Sequence, residues 1–361
     1  MGKERIVYFD TLKGVSILLV VFCHYVLLDN HTIIGNILMA SAWGAVPCFF
    51  MVTGGLMLRS EKINWRKYIW RCIRIYICLC IWKLIYLLWF AMLGTVSFSK
   101  LELVQYLFLF GDIEGVSTGL MWFMYAYLAA MLFYPVSHFL FFGGKEGKKI
   151  FFHLMVLVFS GSIGITVINF GFQVLSDLTG KGLMNVSALS KIIPIGSYPN
   201  MIFYFLIGAF LFLYHEKLQE WFKQKTGRVV IPILLILVGI VGLLLVKFEA
   251  VGTFRWDGIY FENGYNRFST LILAVGMYFL SLCIDHLKYL NKILGYIGKE
   301  TMGIFYLHFP VLALYWTYWN EQMTSYYSLV LNLVKTVIVV IICIAITKIL
   351  KKIPIVRQLV L

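Results

Sequence analysis

Hydrophobic residues run along this chain in long blocks, without the short alternation of a soluble sheet. About ten blocks stand out, at 7–28, 36–58, 73–95, 119–142, 150–170, 198–214, 229–247, 268–284, 301–318 and 328–349. Each is near the roughly 20 residues that a helix needs to cross about 30 Å of hydrocarbon. Lipid offers backbone groups no partners, so apolar runs of this length satisfy their own N–H and C=O groups as helices. The pattern predicts an all-α membrane protein, a polytopic bundle of about ten transmembrane helices. The stretch 100–112 is apolar but short, and reads as an interfacial or re-entrant piece. No inverted internal repeat of the transporter kind is visible.

The polar residues between the blocks orient the bundle. Of the 31 lysines and arginines, 23 fall in one set of alternate segments and 6 in the other, while Lys83 and Lys335 lie within blocks. Cytoplasmic loops carry the excess of positive charge, so both termini are expected in the cytoplasm. A nine- or eleven-span count breaks this alternation. With short loops throughout, residues 1–361 read as a single transmembrane domain without a separate soluble one.

The first block, RIVYFDTLKGVSILLVVFCHYVLL (Arg5–Leu28), carries Asp10, Lys13 and His24. Ionisable residues inside a span are costly and face a bundle interior or a wet cavity. Lys13 and His24 are eleven residues apart, so on a helix they are about 20° out of register and roughly 16 Å apart along the axis. Asp10 and His24 are about 40° apart and roughly 21 Å distant. One face thus holds a basic group near one membrane surface and an imidazole toward the other. The bland alternative pairs Asp10 with Lys13 or with headgroups and makes His24 a satisfied interior residue.

Composition narrows the class. The chain is 61% hydrophobic and only 13% charged, against about 45–50% and about 25% in a soluble domain. Its net charge of +14 is explained by loop orientation; nucleic-acid binding needs a basic patch on a folded domain, and no soluble stretch is long enough for one. The seven cysteines sit mostly inside apolar blocks as small core residues, without CxxC pairs or zinc spacing. No carboxylate–histidine constellation indicates a metal.

Several stretches together resemble the acyltransferase-3 family of membrane acyltransferases. FDTLKGVSILLVVFCH supplies Asp10, Lys13, Gly14 and His24, with the histidine eleven residues after the basic residue. VPCFFMVTGGLML (Val46–Leu58) is similar to the family's Pro-Phe-Phe span, with Thr53-Gly54 for Ser-Gly. WRKYIWRCIRIY (Trp65–Tyr76) resembles the basic segment with paired arginines, Arg71 and Arg74, and lacks the proline that often follows. MWFMYAYLAAMLFYP (Met121–Pro135) is similar to the Trp-Phe span. GKETMGIFYLHFPVL (Gly298–Leu312) resembles the late Tyr-Leu-x-His-x-Pro segment, with Thr301 and Met302 for Ser-Tyr.

The resemblance implies acyl transfer from cytoplasmic acyl-CoA, usually acetyl-CoA, to a hydroxyl on a glycan, lipid-linked sugar or small molecule. It further implies a multi-pass protein of the cell membrane, of the membrane-only kind because Leu361 follows the last block closely. On this reading Arg71 and Arg74, neighbours on one helical face, grip the CoA phosphates together with Arg66 and Lys67, for which orientation alone is the stronger explanation. His24 is the general base or the acyl carrier, since imidazole titrates near neutral pH and is also a nucleophile. Lys13 holds the pantetheine or phosphate arm, and Asp10 pairs with Lys13 or orients it. His308, about seven residues and roughly 11 Å into its helix, binds acceptor, orients the thioester or is a structural hydrogen-bonder. Tyr306 and Trp122 are wall residues of the substrate site. The expected partners are the acyl-CoA donor, a saccharide or lipid-linked glycan acceptor and the lipid bilayer, with a homo-oligomer or glycan-assembly enzymes compatible with that role. The rival readings are a polytopic transporter or exporter of a saccharide or small polar molecule, and an assembly subunit of an envelope-glycan machine.

Overall fold

In the computed structural model, residues 5–25, 33–92, 96–114, 116, 120–180, 186–188, 198–224, 226–251, 264–318, 326–354 and 356–360 are described, and their regular structure is all helical. In chain order the helices are α1 (Val7–Tyr25), α2 (Ile33–Ala42), α3 (Ala45–Met57), α4 (Trp65–Met92), α5 (Lys100–Phe108), α6 (Trp122–Phe142), α7 (Gly144–Phe159), α8 (Ile165–Thr179), α9 (Pro199–Leu213), α10 (His215–Lys223), α11 (Val230–Val251), α12 (Phe268–Cys283), α13 (Lys288–Lys299), α14 (Thr301–Tyr318) and α15 (Tyr326–Lys352). Among the described residues, six stretches are long and apolar enough to cross a membrane: Val7–His24, Ile33–Met57, Trp65–Met92, Trp122–Phe142, Gly144–Ser176 and Tyr327–Lys352. The remaining predicted blocks correspond to α9 with α10, bent by 66°, and to three shorter apolar helices, Val230–Leu245, Phe268–Cys283 and Thr301–Leu314. The chain is a multi-pass, all-helical membrane protein.

The blocks differ from the helices in instructive places. The block 36–58 is two helices, broken by a turn at Trp43 and Gly44. Helix α4 begins at Trp65, eight residues before its apolar block, because arginine and lysine are good helix formers even where they are poor lipid partners. A π-helical turn, Ser160–Gly164, joins α7 to α8. The amphipathic α13 lies outside any long apolar window. The short helix α5 opens with a capping box: Ser99 Oγ accepts from Glu102 N, and Ser99 N donates to Glu102 Oε2 at 2.7 Å. That backbone hydrogen bond holds the Glu102 carboxyl below the usual range. Helix α5 packs back along α4, where Tyr106 Oη donates to the Lys83 carbonyl at 3.0 Å and Lys83 Nζ donates to the Gly111 carbonyl at 3.1 Å. The buried Lys83 ammonium also lies 4.2 Å from the Tyr106 ring centre, so its charge is solvated by protein.

One face of α4 organises this side of the bundle. Tyr68, Arg71, Ile75, Cys78, Trp82 and Tyr86 recur every three or four residues and therefore form a single stripe. Two of them reach helices interrupted by proline. Pro135 within α6 has no N–H, so the carbonyl of Met131 loses its intrahelical donor; Tyr68 Oη donates to that carbonyl at 3.2 Å. Pro310 within α14 does the same to Tyr306, whose carbonyl accepts from Tyr86 Oη at 3.0 Å. The Trp82 and Tyr306 rings stack at 4.8 Å and 3°, and Tyr86 stacks on Phe309 at 6.0 Å. Elsewhere small residues permit close packing: a Cβ on Gly54 of α3 would collide with the Phe205 carbonyl of α9.

Candidate active site

Helix α1 enters the core locked against α13. Gly14 and Gly298 sit where the two backbones meet, and a Cβ on Gly298 would collide with the Asp10 carbonyl. The buried Thr11 Oγ1 donates to Asn291 Oδ1 at 2.7 Å across the same contact. This gives Gly14, beside Lys13, a steric role: only a residue without a side chain admits α13.

Asp10 and Lys13 pair with each other. Lys13 Nζ is 2.8 Å from Asp10 Oδ1, and Arg5 Nε bonds the other carboxylate oxygen. Asp10 is buried, and two cations compensate its charge. The three form an ion cluster at the start of α1, some eleven residues before His24. Arg5 was not among the expected site residues; its spacing of five from Asp10 gives no same-face signal on a helix.

At the other end of α1 the half-buried His24 meets a histidine distant in sequence. Its ring centre lies 5.4 Å from that of His308, with the planes 34° apart. His308 is fully buried, and its Nδ1 lies 2.6 Å from the Phe305 carbonyl. A carbonyl only accepts, so Nδ1 carries the proton. In the neutral ring the lone pair therefore sits on Nε2, and this buried nitrogen has no hydrogen-bond partner among the described residues. An unpartnered basic nitrogen beside a second imidazole is an unusual use of buried space. The pair can accept a proton from a hydroxyl or bind one.

Arg71 belongs to the α4 stripe, and Arg74 is its neighbour three residues on. Arg71 Nη2 donates to Tyr127 Oη of α6 at 3.1 Å, and Arg74 Nη1 to Gln358 Oε1 at 3.4 Å. Arg71, Arg74, Met124, Tyr127, Tyr306 and Gln358 help to line one open cleft. It runs from the guanidinium groups to Tyr306, which is two residues before His308. Arg66 and Lys67 are exposed on the first turn of α4 and are not part of its wall. Trp122, half-buried at the start of α6, joins a different aromatic group with Tyr265 at 5.3 Å and Tyr198 at 6.5 Å. Tyr127 and Gln358 were missed by the sequence reading; one lies in an aromatic stretch and the other beyond the last block, and only packing brings them to the arginines.

The profile of the acyltransferase-3 family, described as an acyltransferase domain, matches residues 6–350. The chain belongs to the acyltransferase-3 family. Comparison with curated proteins and with solved structures returns no match. Family membership and the apolar helices together make the protein a membrane acyltransferase. Within this acyltransferase-3 domain the sequence segments that resembled the family converge: the first span and the late Tyr-Leu-x-His-x-Pro segment meet at His24 and His308, and the basic and Trp-Phe segments meet at Arg71 and Tyr127.

Proposed function

We propose that the protein is a cell-membrane O-acyltransferase of ten spans with cytoplasmic termini, a single transmembrane domain that moves an acetyl group from cytoplasmic acetyl-CoA to a hydroxyl of a cell-surface or lipid-linked saccharide. One juxtaposition carries the reading: the imidazole pair of His24 and His308, with two guanidinium groups lining a cleft that reaches Tyr306 on the same helix as His308. Arg71 and Arg74 bind the CoA phosphates, for which planar guanidinium groups are suited. The pantetheine arm follows the cleft past Tyr306, and the thioester stands at the histidines. His24 takes the proton of the acceptor hydroxyl, whose oxygen attacks the thioester carbonyl carbon. The tetrahedral intermediate collapses with cleavage of the C–S bond, and the proton passes from imidazole to the departing thiolate, leaving ester and CoA. The Nε2 of His308 accepts a hydrogen bond from the incoming hydroxyl or from protonated His24. The ion cluster of Arg5, Asp10 and Lys13 fixes the start of α1 and presents Lys13, about a fifth exposed, at the donor's side of the membrane.

The test is transfer of radiolabelled acetyl from acetyl-CoA to membrane-associated glycan, in membranes holding wild type or His24→Ala at equal protein level. Label with the wild type and its loss in the variant is the expected result. Absence of label in both, with no CoA binding by purified protein, refutes the reading.

A further inference from the structure

After α15 the chain turns back. A 3₁₀ turn, Val356–Leu359, runs alongside α4, and its last two residues are held by α4 side chains. Arg74 Nη1 donates to Gln358 Oε1 at 3.4 Å, Cys78 Sγ to the Gln358 carbonyl at 3.1 Å, and Trp82 Nε1 to the Leu359 carbonyl at 2.9 Å. Val360 is only 1% exposed. Gln358 and Leu359 help to line the same cleft as Arg71, Arg74 and Tyr306. The segment therefore follows the cleft wall beside the path proposed for the donor, and its Gln358 side chain accepts from Arg74, one of the arginines proposed to bind the donor.

We infer that residues 356–360 are an intramolecular wedge that occupies part of the acyl-CoA cleft and is displaced by the donor; this rests on the reading of Arg71 and Arg74 as the CoA phosphate site. The contacts are of the right strength for displacement. All three acceptors are neutral, and the contact to Arg74 is long. A phosphate on Arg74 replaces this single bond to a neutral amide with an ion pair that a guanidinium can make bidentately. The wedge then serves two ends: in the empty enzyme it covers polar groups inside an apolar bundle, and it sets a threshold of donor concentration below which the cleft stays filled.

Two measurements on the purified chain test this. The first is CoA affinity by titration calorimetry for wild type, for a chain ended after Pro354 and for Trp82→Phe, which keeps an aromatic ring beside Tyr306 and removes the indole N–H that holds Leu359, with part of the bicyclic ring. The truncated chain should bind CoA about fivefold or more tightly, and Trp82→Phe about two- to tenfold more tightly, the worth of one hydrogen bond. Unchanged or weakened affinity in both overturns the wedge and makes the segment part of the cleft wall. The second reads seating of the segment without CoA: the rate of maleimide labelling of Cys78 as the sole cysteine. Labelling should be at least about tenfold faster in the truncated chain, as expected when a local cover worth one or two hydrogen bonds is removed; equal rates overturn the wedge directly. If neither chain binds CoA while Cys78 is unmasked by truncation, the donor reading falls and takes the competition with it. Equal labelling with normal CoA binding refutes the wedge and leaves the donor site standing.

Discussion

The bond from Tyr86 to the proline-freed carbonyl of Tyr306 offers a stringent test of how α4 holds α14. Pro310 removes the N–H that would bond this carbonyl and crowds it with its ring. Tyr86 and Tyr306 are 2% and 1% exposed, so water does not substitute for the phenol. In Tyr86→Phe the ring stays against Phe309 and only the hydroxyl is lost. A net hydrogen bond is worth about 0.5–1.5 kcal/mol and a stranded buried acceptor about 1–3 kcal/mol. Interhelical hydrogen bonds within membranes average nearer 0.6 kcal/mol, with a maximum of about 1.7 kcal/mol. The expected loss is therefore about 1–2 kcal/mol. In Pro310→Ala the restored N–H can serve the same carbonyl, and Tyr86→Phe should then cost about 0.5 kcal/mol or less, the residue left when an alternative donor is at hand. The assay is a double-mutant cycle by reversible unfolding in mixed micelles, followed by tryptophan fluorescence. Additivity of the two substitutions within about 0.3 kcal/mol refutes the argument, because independent sites add to that precision.

Two further outcomes concern the site. His308→Asn removes the Nε2 lone pair from the imidazole pair and should lower the rate of transfer by about 10²- to 10⁴-fold, the range for a lost acid–base group, with CoA affinity unchanged by calorimetry; an equal fall in CoA affinity would assign His308 to donor binding instead. Tyr127→Phe releases Arg71 from its anchor and should weaken CoA by about two- to tenfold with kcat unaltered, and should have no effect on CoA affinity in an Arg71→Ala background.

Much of the bundle was legible because hydropathy reports what lipid demands, and all ten apolar blocks overlap apolar helices. Helix ends were less legible, since the bilayer boundary and the helix boundary obey different rules; the basic turns Arg66–Arg74 are helical without being apolar. Helix α13 escaped notice because its alternation of lysines with Tyr289, Ile293 and Tyr296 averages to neither polar nor apolar. At the site, the pairing of Asp10 with Lys13 follows from a spacing of three, and the common face of Lys13 and His24 from a spacing of eleven. The meeting of His24 with His308 follows from no local pattern. It depends on how α1 and α14 pack, as do the contacts of Arg71 with Tyr127 and of Arg74 with Gln358.

The two proline-freed carbonyls also bear on how the protein is built during synthesis. Tyr68 on α4 finds Met131 after 63 further residues have been made, whereas Tyr86 waits for Tyr306, 220 residues downstream. Until α14 has been inserted, one phenol of α4 lacks its acceptor and His24 lacks its neighbour. Insertion of the ninth apolar block therefore does two things at once: it completes the scaffold seam and brings His308 to His24, so that a half-made chain holds α1 in the bilayer without the pair on which the proposed chemistry rests.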